Sequence, residues 1–191
     1  PLGAAISRAD IIRLLEETNC YLVVDEAYME FAGESVVDLV PHYKKLLIMR
    51  TMSNGWGLPA LRVGYTIAQA EVITDLMKAL GPFNMSSFVT KIAANAMDHP
   101  EEMKKNVAAI IALRDEWVTK FQVKYGWKVY PTQANFINVE TEDAFAIWAF
   151  LKERKLNVSK FPPHNLRISI GNELEMATLE AEIAKDLRAI E

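Results

Sequence analysis

The chain has 191 residues, of which 51% are apolar and 24% charged, and its formal net charge is −4. This composition is typical of a globular protein with enough residues for one medium domain or two small ones. The mild negative charge excludes a basic surface for nucleic acid or an anionic membrane, and no apolar run approaches the roughly 20 residues of a membrane helix.

Cysteine and histidine usage indicates a reducing compartment and no metal site. The single cysteine, Cys20, cannot form an internal disulfide, so we expect a cytoplasmic protein. Because Cys20 opens an apolar run, we expect its side chain to be buried and chemically silent. His42, His99 and His164 are far apart and lack the spacing of zinc ligands, so no metal site is predicted.

The first hundred residues alternate helical and strand patterns. Ser7 followed by Asp10 predicts the N-terminal cap of a helix. Residues 71–80 predict a further helix that stops at the glycine and proline that follow it. Compact apolar runs predict three strands, buried on both faces of a parallel-type α/β sheet, at residues 20–28, 46–53 and 62–68.

The second half begins with a long helix and continues as mixed strands and helices. Pro100 predicts the start of that helix, and the segment after Gly126 predicts about three strands with two helices. The last helix is predicted to start at Asn172, with Glu175 reaching back to cap it. Its expected buried residues are Met176, Leu179, Ile183, Leu187 and Ile190.

These patterns predict a domain boundary near residue 100. Residues 1–100 would form part of a larger α/β domain, and residues 101–191 a small α+β domain with its connecting helix. The opening "PLGAAISRAD" reads as a turn that runs into a helix, so we expect a piece of a longer protein. Since a three-strand sheet leaves both edges unpaired, we also expect the isolated chain to associate.

Two polar residues lie where the first apolar run ends. In "VVDEAYMEF", Asp25 comes near the carboxyl end of a buried strand, where ligands of open α/β sheets bind. A buried carboxylate there needs a positive or hydrogen-bonding partner, so Asp25 could also serve as a helix cap or pair with an arginine. Tyr28 follows three residues later and could donate its phenolic hydrogen to an oxyanion, or simply fill the core.

The segment "SNGWGLPALRVGY" is more specific. Ser53 and Arg62 flank a turn that contains Gly55 and Gly57. A hydroxyl and a guanidinium that converge on a tight loop suit a phosphate group. The alternative is a glycine-rich connection with a surface arginine.

These segments together resemble the fold-type-I enzymes that use pyridoxal phosphate. Within the class I/II aminotransferases, the sequence is most similar to the histidinol-phosphate aminotransferase branch. The matching segments occur in the same order and at similar separations as in that branch. They are "PLG", "VVDEAY", "RTMSNGWGLPALRVGY", "ANF" and "LRISIG". The resemblance implies the C-terminal part of such a protein: three strands of the large domain and an α+β small domain.

The resemblance also implies a cofactor site. Asp25 would pair with the pyridinium nitrogen of pyridoxal phosphate, and Tyr28 would hydrogen-bond its phenolic oxygen. Ser53 and Arg62 would bind the cofactor phosphate. The family's covalent link to the cofactor comes from the lysine that follows this serine. Here Asn54 occupies that position, and an amide neither forms the link nor moves protons.

The resemblance also implies substrate-binding residues in the second half of the chain. Arg167 would bind the substrate carboxylate with two N–H groups, and Asn135 would line the substrate pocket. Lys160 could in principle substitute for the missing lysine, but this is not the expectation. The loop "KFPPHN" looks shorter than is usual in the family, which leaves the amino substrate open.

The expected function follows from this resemblance. It is amino-group transfer between an amino acid or an amino-alcohol phosphate and 2-oxoglutarate, in a cytoplasmic homodimer of histidine biosynthesis. As written, the chain is expected to be inactive because of Asn54. Two alternatives stay open: a non-catalytic fragment or pseudoenzyme that acts by association, and a pyridoxal-phosphate-dependent decarboxylase of a phosphorylated amino acid.

Overall fold

A computed structural model describes residues 2–190 of the chain, with the side chains of residues 2–185. The described residues form two compact units, 6–107 and 108–190, and residues 2–5 belong to the second. The division lies within a long helix, α5 (Pro100–Val123). The sequence-based boundary near residue 100 falls at the first turn of this helix.

The first unit contains a three-stranded sheet with the order β1-β2-β3. Its strands are β1 (Leu22–Asp25), β2 (Leu46–Thr51) and β3 (Gly64–Ile67), and its other helices are α1 (Arg8–Glu17), α2 (Met29–Ala32), α3 (Ala70–Met77) and α4 (Ser87–Asp98). Strand β1 runs parallel to β2, as predicted, but β3 runs antiparallel to β2. The parallel prediction is therefore wrong for β3, because residues 52–63 turn back without a helical crossover.

Described residues cover one face of this sheet well and the other face only in part. Ile11 of α1 packs with Leu46 and Ile48, which are fully buried. On the other face, Val23 and Met49 are 51% and 49% exposed. The expectation of burial on both faces is therefore wrong at Val23 and Met49, whereas Leu47, on the same face as these two, is buried.

Cys20 is exposed, which contradicts the expected burial. The residue lies in a bend, and β1 begins two positions later at Leu22. An apolar run in the sequence therefore extends beyond the strand that it forms.

The predicted helix caps are confirmed. The Ser7 hydroxyl accepts a hydrogen bond from the Asp10 backbone N–H at 3.1 Å. At the last helix, the Asn172 backbone N–H donates to the Glu175 carboxylate (2.8 Å), and the Glu175 N–H donates to the Asn172 side chain (2.9 Å). This reciprocal pair is a capping box. The predicted burial of Leu187 and Ile190 lies outside the described side chains.

The second unit has four described strands, one more than predicted, in the order β4-β5-β7-β6. They are β4 (Lys128–Val129), β5 (Phe136–Glu140), β6 (Ser159–Phe161) and β7 (Asn165–Ser169), with α6 (Ala144–Glu153) and α7 (Glu173–Ile190) as the helices that follow α5. All neighbouring strands are antiparallel. Trp117, Phe121, Ile137, Leu166 and Ile183 belong to the core between this sheet and its helices.

Residues 2–5 are held against the approach to β5. The Gly3 carbonyl accepts a hydrogen bond from the Gln133 backbone N–H (2.7 Å), and the Gln133 side chain accepts one from Ala5 (2.9 Å). Gly3 has φ +89°, and a Cβ atom there would lie 2.6 Å from Thr132 Oγ1. Glycine therefore serves this turn for both conformational and steric reasons.

Among the described residues, no helix is long and apolar enough to cross a membrane. The same residues contain no group of three or more histidine, cysteine, aspartate or glutamate side chains arranged to hold a metal ion.

Candidate functional site

A cleft of about 270 Å³ lies where β1 and β2 end and β3 begins. It brings together three predicted cofactor residues, Asp25, Ser53 and Arg62. Within the described part of the chain, Tyr28 and Asn54 are not among its lining residues. The other lining residues are Ala27, Met49, Arg50, Thr51, Val63 and Gly64.

Asp25 is the last residue of β1, and its side chain is exposed to the cleft. Its carboxylate accepts a hydrogen bond from the Ala27 backbone N–H at 3.0 Å, as in an Asx turn. This bond holds the carboxylate at the strand end and leaves further lone pairs for a ligand. Tyr28 lies just beyond this turn, half-buried, at the N-terminal cap position of α2.

The loop that carries residues 53 and 54 is closed by backbone hydrogen bonds. Met52 donates to Val63 (3.0 Å), Leu58 donates to Met52 (3.0 Å), and Gly57 donates to Asn54 (2.9 Å). Met52 and Val63 are buried in a small apolar cluster beneath the loop. The loop is therefore anchored on both sides without any ligand.

The two expected phosphate-binding residues are held in different ways. The Ser53 hydroxyl lies 3.0 Å from the hydroxyl of Thr51, which itself accepts the Ser53 backbone N–H at 3.1 Å. Arg62 has φ 55°, an uncommon backbone conformation for a residue other than glycine, and it donates from Nη1 to the Pro59 carbonyl at 2.9 Å. Its side chain is exposed at the cleft and has further N–H donors.

Asn54 is half-buried and bonded to the backbone of the neighbouring turn. Its side-chain Nδ2 donates to the Ala27 carbonyl at 2.8 Å. The residue at the family's lysine position therefore joins the loop to the turn that follows Asp25.

A buried ion pair beside the cleft was missed by the sequence reading. Arg50 donates from Nε to Glu26 Oε2 at 3.0 Å, and its Nη2 lies 2.9 Å from the same oxygen and donates to Ser35 Oγ at 2.8 Å; both charged side chains are largely buried. Ser35 and the Val36 backbone N–H also donate to the Glu26 carboxylate. The sequence gives only a weak signal for this pair: an acidic residue next to Asp25 and an arginine within an apolar strand.

The same ion pair has a clear electrostatic effect on Arg50. Burial acts to lower the pKa of Arg50, but the hydrogen bond to Glu26 and the proximity of Tyr65 outweigh it, so the pKa is raised. The guanidinium is therefore a fixed positive charge at the wall of the cleft.

Glu30 packs against the loop at Gly55. A Cβ atom on Gly55 would lie 2.7 Å from the Cβ of Glu30, so only glycine fits there. Glu30 Oε2 is buried and has no hydrogen-bond partner within the described residues. Burial raises the pKa of Glu30, and the neighbouring polar groups do not offset this effect.

The expected substrate residues both lie in the second unit. Asn135 precedes β5, is half-buried, and accepts a backbone hydrogen bond from Ile170 at 2.9 Å through its carbonyl. Arg167 lies in β7, with its guanidinium carbon 3.7 Å from the centre of the Phe136 ring, a cation–π arrangement.

Asn138 is a buried polar residue that the sequence reading did not single out. It is 3% exposed, and its Oδ1 atom accepts no hydrogen bond within the described part of the chain. A buried polar atom without a partner costs about 1–3 kcal/mol. The signal in the sequence was one amide in the apolar run "FINV".

Lys160 lies on the opposite face of the sheet from Arg167. It is directly across from Leu166 in the β6–β7 pair, whereas Ser159 is across from Arg167. Its ammonium lies 4.0 Å from the ring centre of Phe145 and 4.8 Å from the indole of Trp148, both on α6. The strand register therefore directs Lys160 to the helix side of the sheet, away from the face that carries Arg167.

Comparison with known protein families gives a match over nearly the whole chain. The model of aminotransferase class I and II matches residues 1–183. The histidinol-phosphate aminotransferase of Clostridium kluyveri is 32% identical over 192 residues, which cover 98% of this chain and 55% of the relative. That of Thermoanaerobacter pseudethanolicus is 35% identical over 161 residues, covering 84% and 46%. The chain thus spans about half the length of the curated relatives it matches.

Solved structures show the same fold. Histidinol-phosphate aminotransferase from Sinorhizobium meliloti, solved with pyridoxal-5'-phosphate, matches with a TM-score of 0.88 and 22% identity, over 100% of this chain and 56% of that one. L-threonine-O-3-phosphate decarboxylase from Porphyromonas gingivalis matches with a TM-score of 0.82 and 20% identity, over 100% and 61%. These likenesses confirm the predicted α/β fold class, part of a fold-type-I transferase. With the family match, they establish that the chain belongs to the aminotransferase class I and II family.

Proposed function

We propose that this chain carries the cofactor site of a pyridoxal-phosphate-dependent aminotransferase and lacks the group needed for turnover. The reaction of the whole enzyme would transfer an amino group between two partners. One is an amino acid or an amino-alcohol phosphate similar to histidinol phosphate, and the other is 2-oxoglutarate. The observation that carries the proposal is the convergence of Asp25, Ser53 and Arg62 on one cleft. The names of the curated relatives support the histidinol-phosphate branch.

The donor and acceptor set of the cleft fits this cofactor. Asp25 offers a carboxylate to a protonated ring nitrogen, and its bond to Ala27 fixes its orientation. Ser53 and Arg62 offer a hydroxyl and a guanidinium to the phosphate. Arg50 also lines the cleft, but its charge is balanced by Glu26. Tyr28 would donate to the ring oxygen.

Pyridoxal phosphate, when bound, supplies an electron-withdrawing ring that stabilises negative charge on the substrate α-carbon. The carboxylate of Asp25 would keep the ring nitrogen protonated, which preserves that capacity. In the second unit, Arg167 would bind the substrate carboxylate with two N–H groups, and Asn135 would line the substrate pocket.

Asn54 determines what the chain does with such a ligand. An amide nitrogen is not nucleophilic and does not exchange protons near neutral pH, so Asn54 neither attaches the cofactor nor shuttles a proton. Its bond to Ala27 gives it a structural role instead. This observation favours the second candidate function, a non-catalytic family member that binds ligand or partner without turnover.

We also propose that the chain associates, as a homodimer or with an N-terminal segment, in the cytoplasm. The exposed apolar side chains Val23 and Met49, on the less covered face of the sheet, support association. The family resemblance supports the homodimer.

The experiment titrates pyridoxal phosphate into the 191-residue chain and follows binding by the quenching of tryptophan fluorescence. We expect saturable binding that weakens about tenfold or more in Arg62→Ala, since a charged contact to the phosphate is lost. After borohydride reduction, peptide mass mapping should show no adduct at residue 54. Equal affinity in Arg62→Ala, or a reduced adduct within the peptide that contains residue 54, would overturn the proposal.

A further inference from the structure

The buried amide of Asn138 is an anomaly in an otherwise apolar strand. Its neighbours in β5, Ile137 and Val139, are fully buried and apolar. Asn138 Oδ1 is buried and accepts no hydrogen bond within the described residues. Buried polar atoms of folded proteins normally have partners, so a partner that is present only in another state of the protein would explain this one.

Strand register places Asn138 beside Arg167. The two residues lie directly across from each other in the β5–β7 pair, so their side chains project from the same face of the sheet. Ser159 lies across from Arg167 on the other side, one strand farther from Asn138. Phe136, two residues before Asn138, shares this face and carries the guanidinium 3.7 Å from its ring centre.

The donor that could reach Asn138 Oδ1 has to come from the protein. The oxygen is shielded from solvent, so a diffusing ligand does not contact it directly. Arg167 is the nearest cationic side chain by register, and its guanidinium has five N–H groups in one plane. Two of them suffice for a bidentate contact with a carboxylate, which leaves others for an acceptor on the protein side.

We propose that Asn138 is a positioning residue for Arg167: its side-chain oxygen accepts an N–H of Arg167 when the guanidinium turns from the Phe136 ring to a bound carboxylate. The inference rests on the proposed function, which gives Arg167 the substrate carboxylate. It adds a second residue to that contact and accounts for an amide where the strand otherwise favours apolar residues.

The test compares Asn138→Val with Asn138→Thr. These two side chains have nearly the same shape, and only threonine keeps an oxygen that accepts a hydrogen bond. Glutarate, a dicarboxylate without an amino group, is titrated into the 191-residue chain. Binding is followed through the NMR signal of the Arg167 Nε–H group, and by thermal shift in Arg167→Ala, which lacks that signal. Asn138→Ala serves as a second variant without the oxygen.

We expect glutarate affinity to fall roughly tenfold in Asn138→Val and Asn138→Ala, as for the loss of one charge-assisted hydrogen bond, and to stay within about twofold in Asn138→Thr. Arg167→Ala should abolish binding. If Arg167→Ala abolishes binding while Asn138→Val binds as the parent does, the positioning role is wrong and the proposed role of Arg167 stands. If the parent does not bind glutarate, or Arg167→Ala binds equally well, the role of Arg167 itself fails, and the inference fails with it.

Discussion

The side-chain amide of Asn54 donates a hydrogen bond to the backbone carbonyl of Ala27, 2.8 Å away. This contact links the loop after β2 to the turn after β1, two segments that contribute Ser53 and Asp25 to the same cleft. A residue that cannot take part in the family's covalent chemistry therefore stabilises the geometry of the site.

We expect Asn54→Asp to lower the free energy of unfolding by about 1–2 kcal/mol, because aspartate has the same shape but no N–H to donate to Ala27. Urea-induced unfolding measures the change. Asn157→Asp, at an exposed position of the second unit, is the matched control and should leave the stability nearly unchanged. Equal effects of the two substitutions would show that the Ala27 contact contributes nothing.

The Glu26–Arg50 pair should be the most sensitive contact beside the cleft. We expect Glu26→Ala to destabilise the chain by about 3–5 kcal/mol, since it leaves the Arg50 guanidinium buried without its partner. Asp75→Ala, which breaks the exposed pair with Lys78, should have little effect.

Both Glu26 and Asp75 variants are measured by urea-induced unfolding, together with Arg50→Met and the double variant Glu26→Ala/Arg50→Met. The double variant should be less destabilised than the sum of its single variants, because the residues interact. Strict additivity would mean that the two charges do not depend on each other.

Local chemistry explains which features the sequence predicted. The caps at Ser7 and Asn172 depend on residues three positions away, so sequence spacing suffices. Asp25 and Ser53 meet because each lies at or beyond the carboxyl end of neighbouring parallel strands, a rule that a sequence pattern can invoke.

Features set by register and strand direction were not predictable in the same way. Glu26 meets Arg50 because Asp25 is opposite Met49, a register that no short motif encodes. Lys160 faces α6 because it is opposite Leu166, and a shift of one residue would have placed it beside Arg167. The direction of β3 likewise depends on how the chain turns after β2, not on the composition of the strand.

Gly55 should tolerate no larger residue. We expect Gly55→Ala to destabilise the chain by about 1–3 kcal/mol, because the new Cβ atom would lie 2.7 Å from the Cβ of Glu30. Gly81→Ala is the matched control: nothing lies within 4 Å of its Cβ position, and it should be neutral or slightly stabilising. Thermal unfolding of the two variants in parallel decides the matter, and similar melting temperatures would contradict the close contact.

The last expectation concerns pH. Burial raises the pKa of Glu30 in the folded chain above its value in the unfolded chain. The folded state therefore favours the protonated carboxyl, and this contribution to stability is complete below the unfolded pKa and is lost as pH rises through the folded pKa. Glu30→Gln replaces the carboxyl by a neutral group of the same shape. The stability of this variant should therefore not fall as the pH rises through the pKa of Glu30.

We expect Glu30→Gln to melt at a higher temperature than the parent near pH 7, and the difference to shrink as the pH falls to about 4, where the parent carboxyl is largely protonated. Glu17→Gln, an exposed glutamate of α1, controls for the general effect of removing one negative charge. Melting temperatures of the three proteins across this range measure the effect. A constant difference between Glu30→Gln and the parent, or the same profile for Glu17→Gln, would show that titration of Glu30 is not coupled to folding.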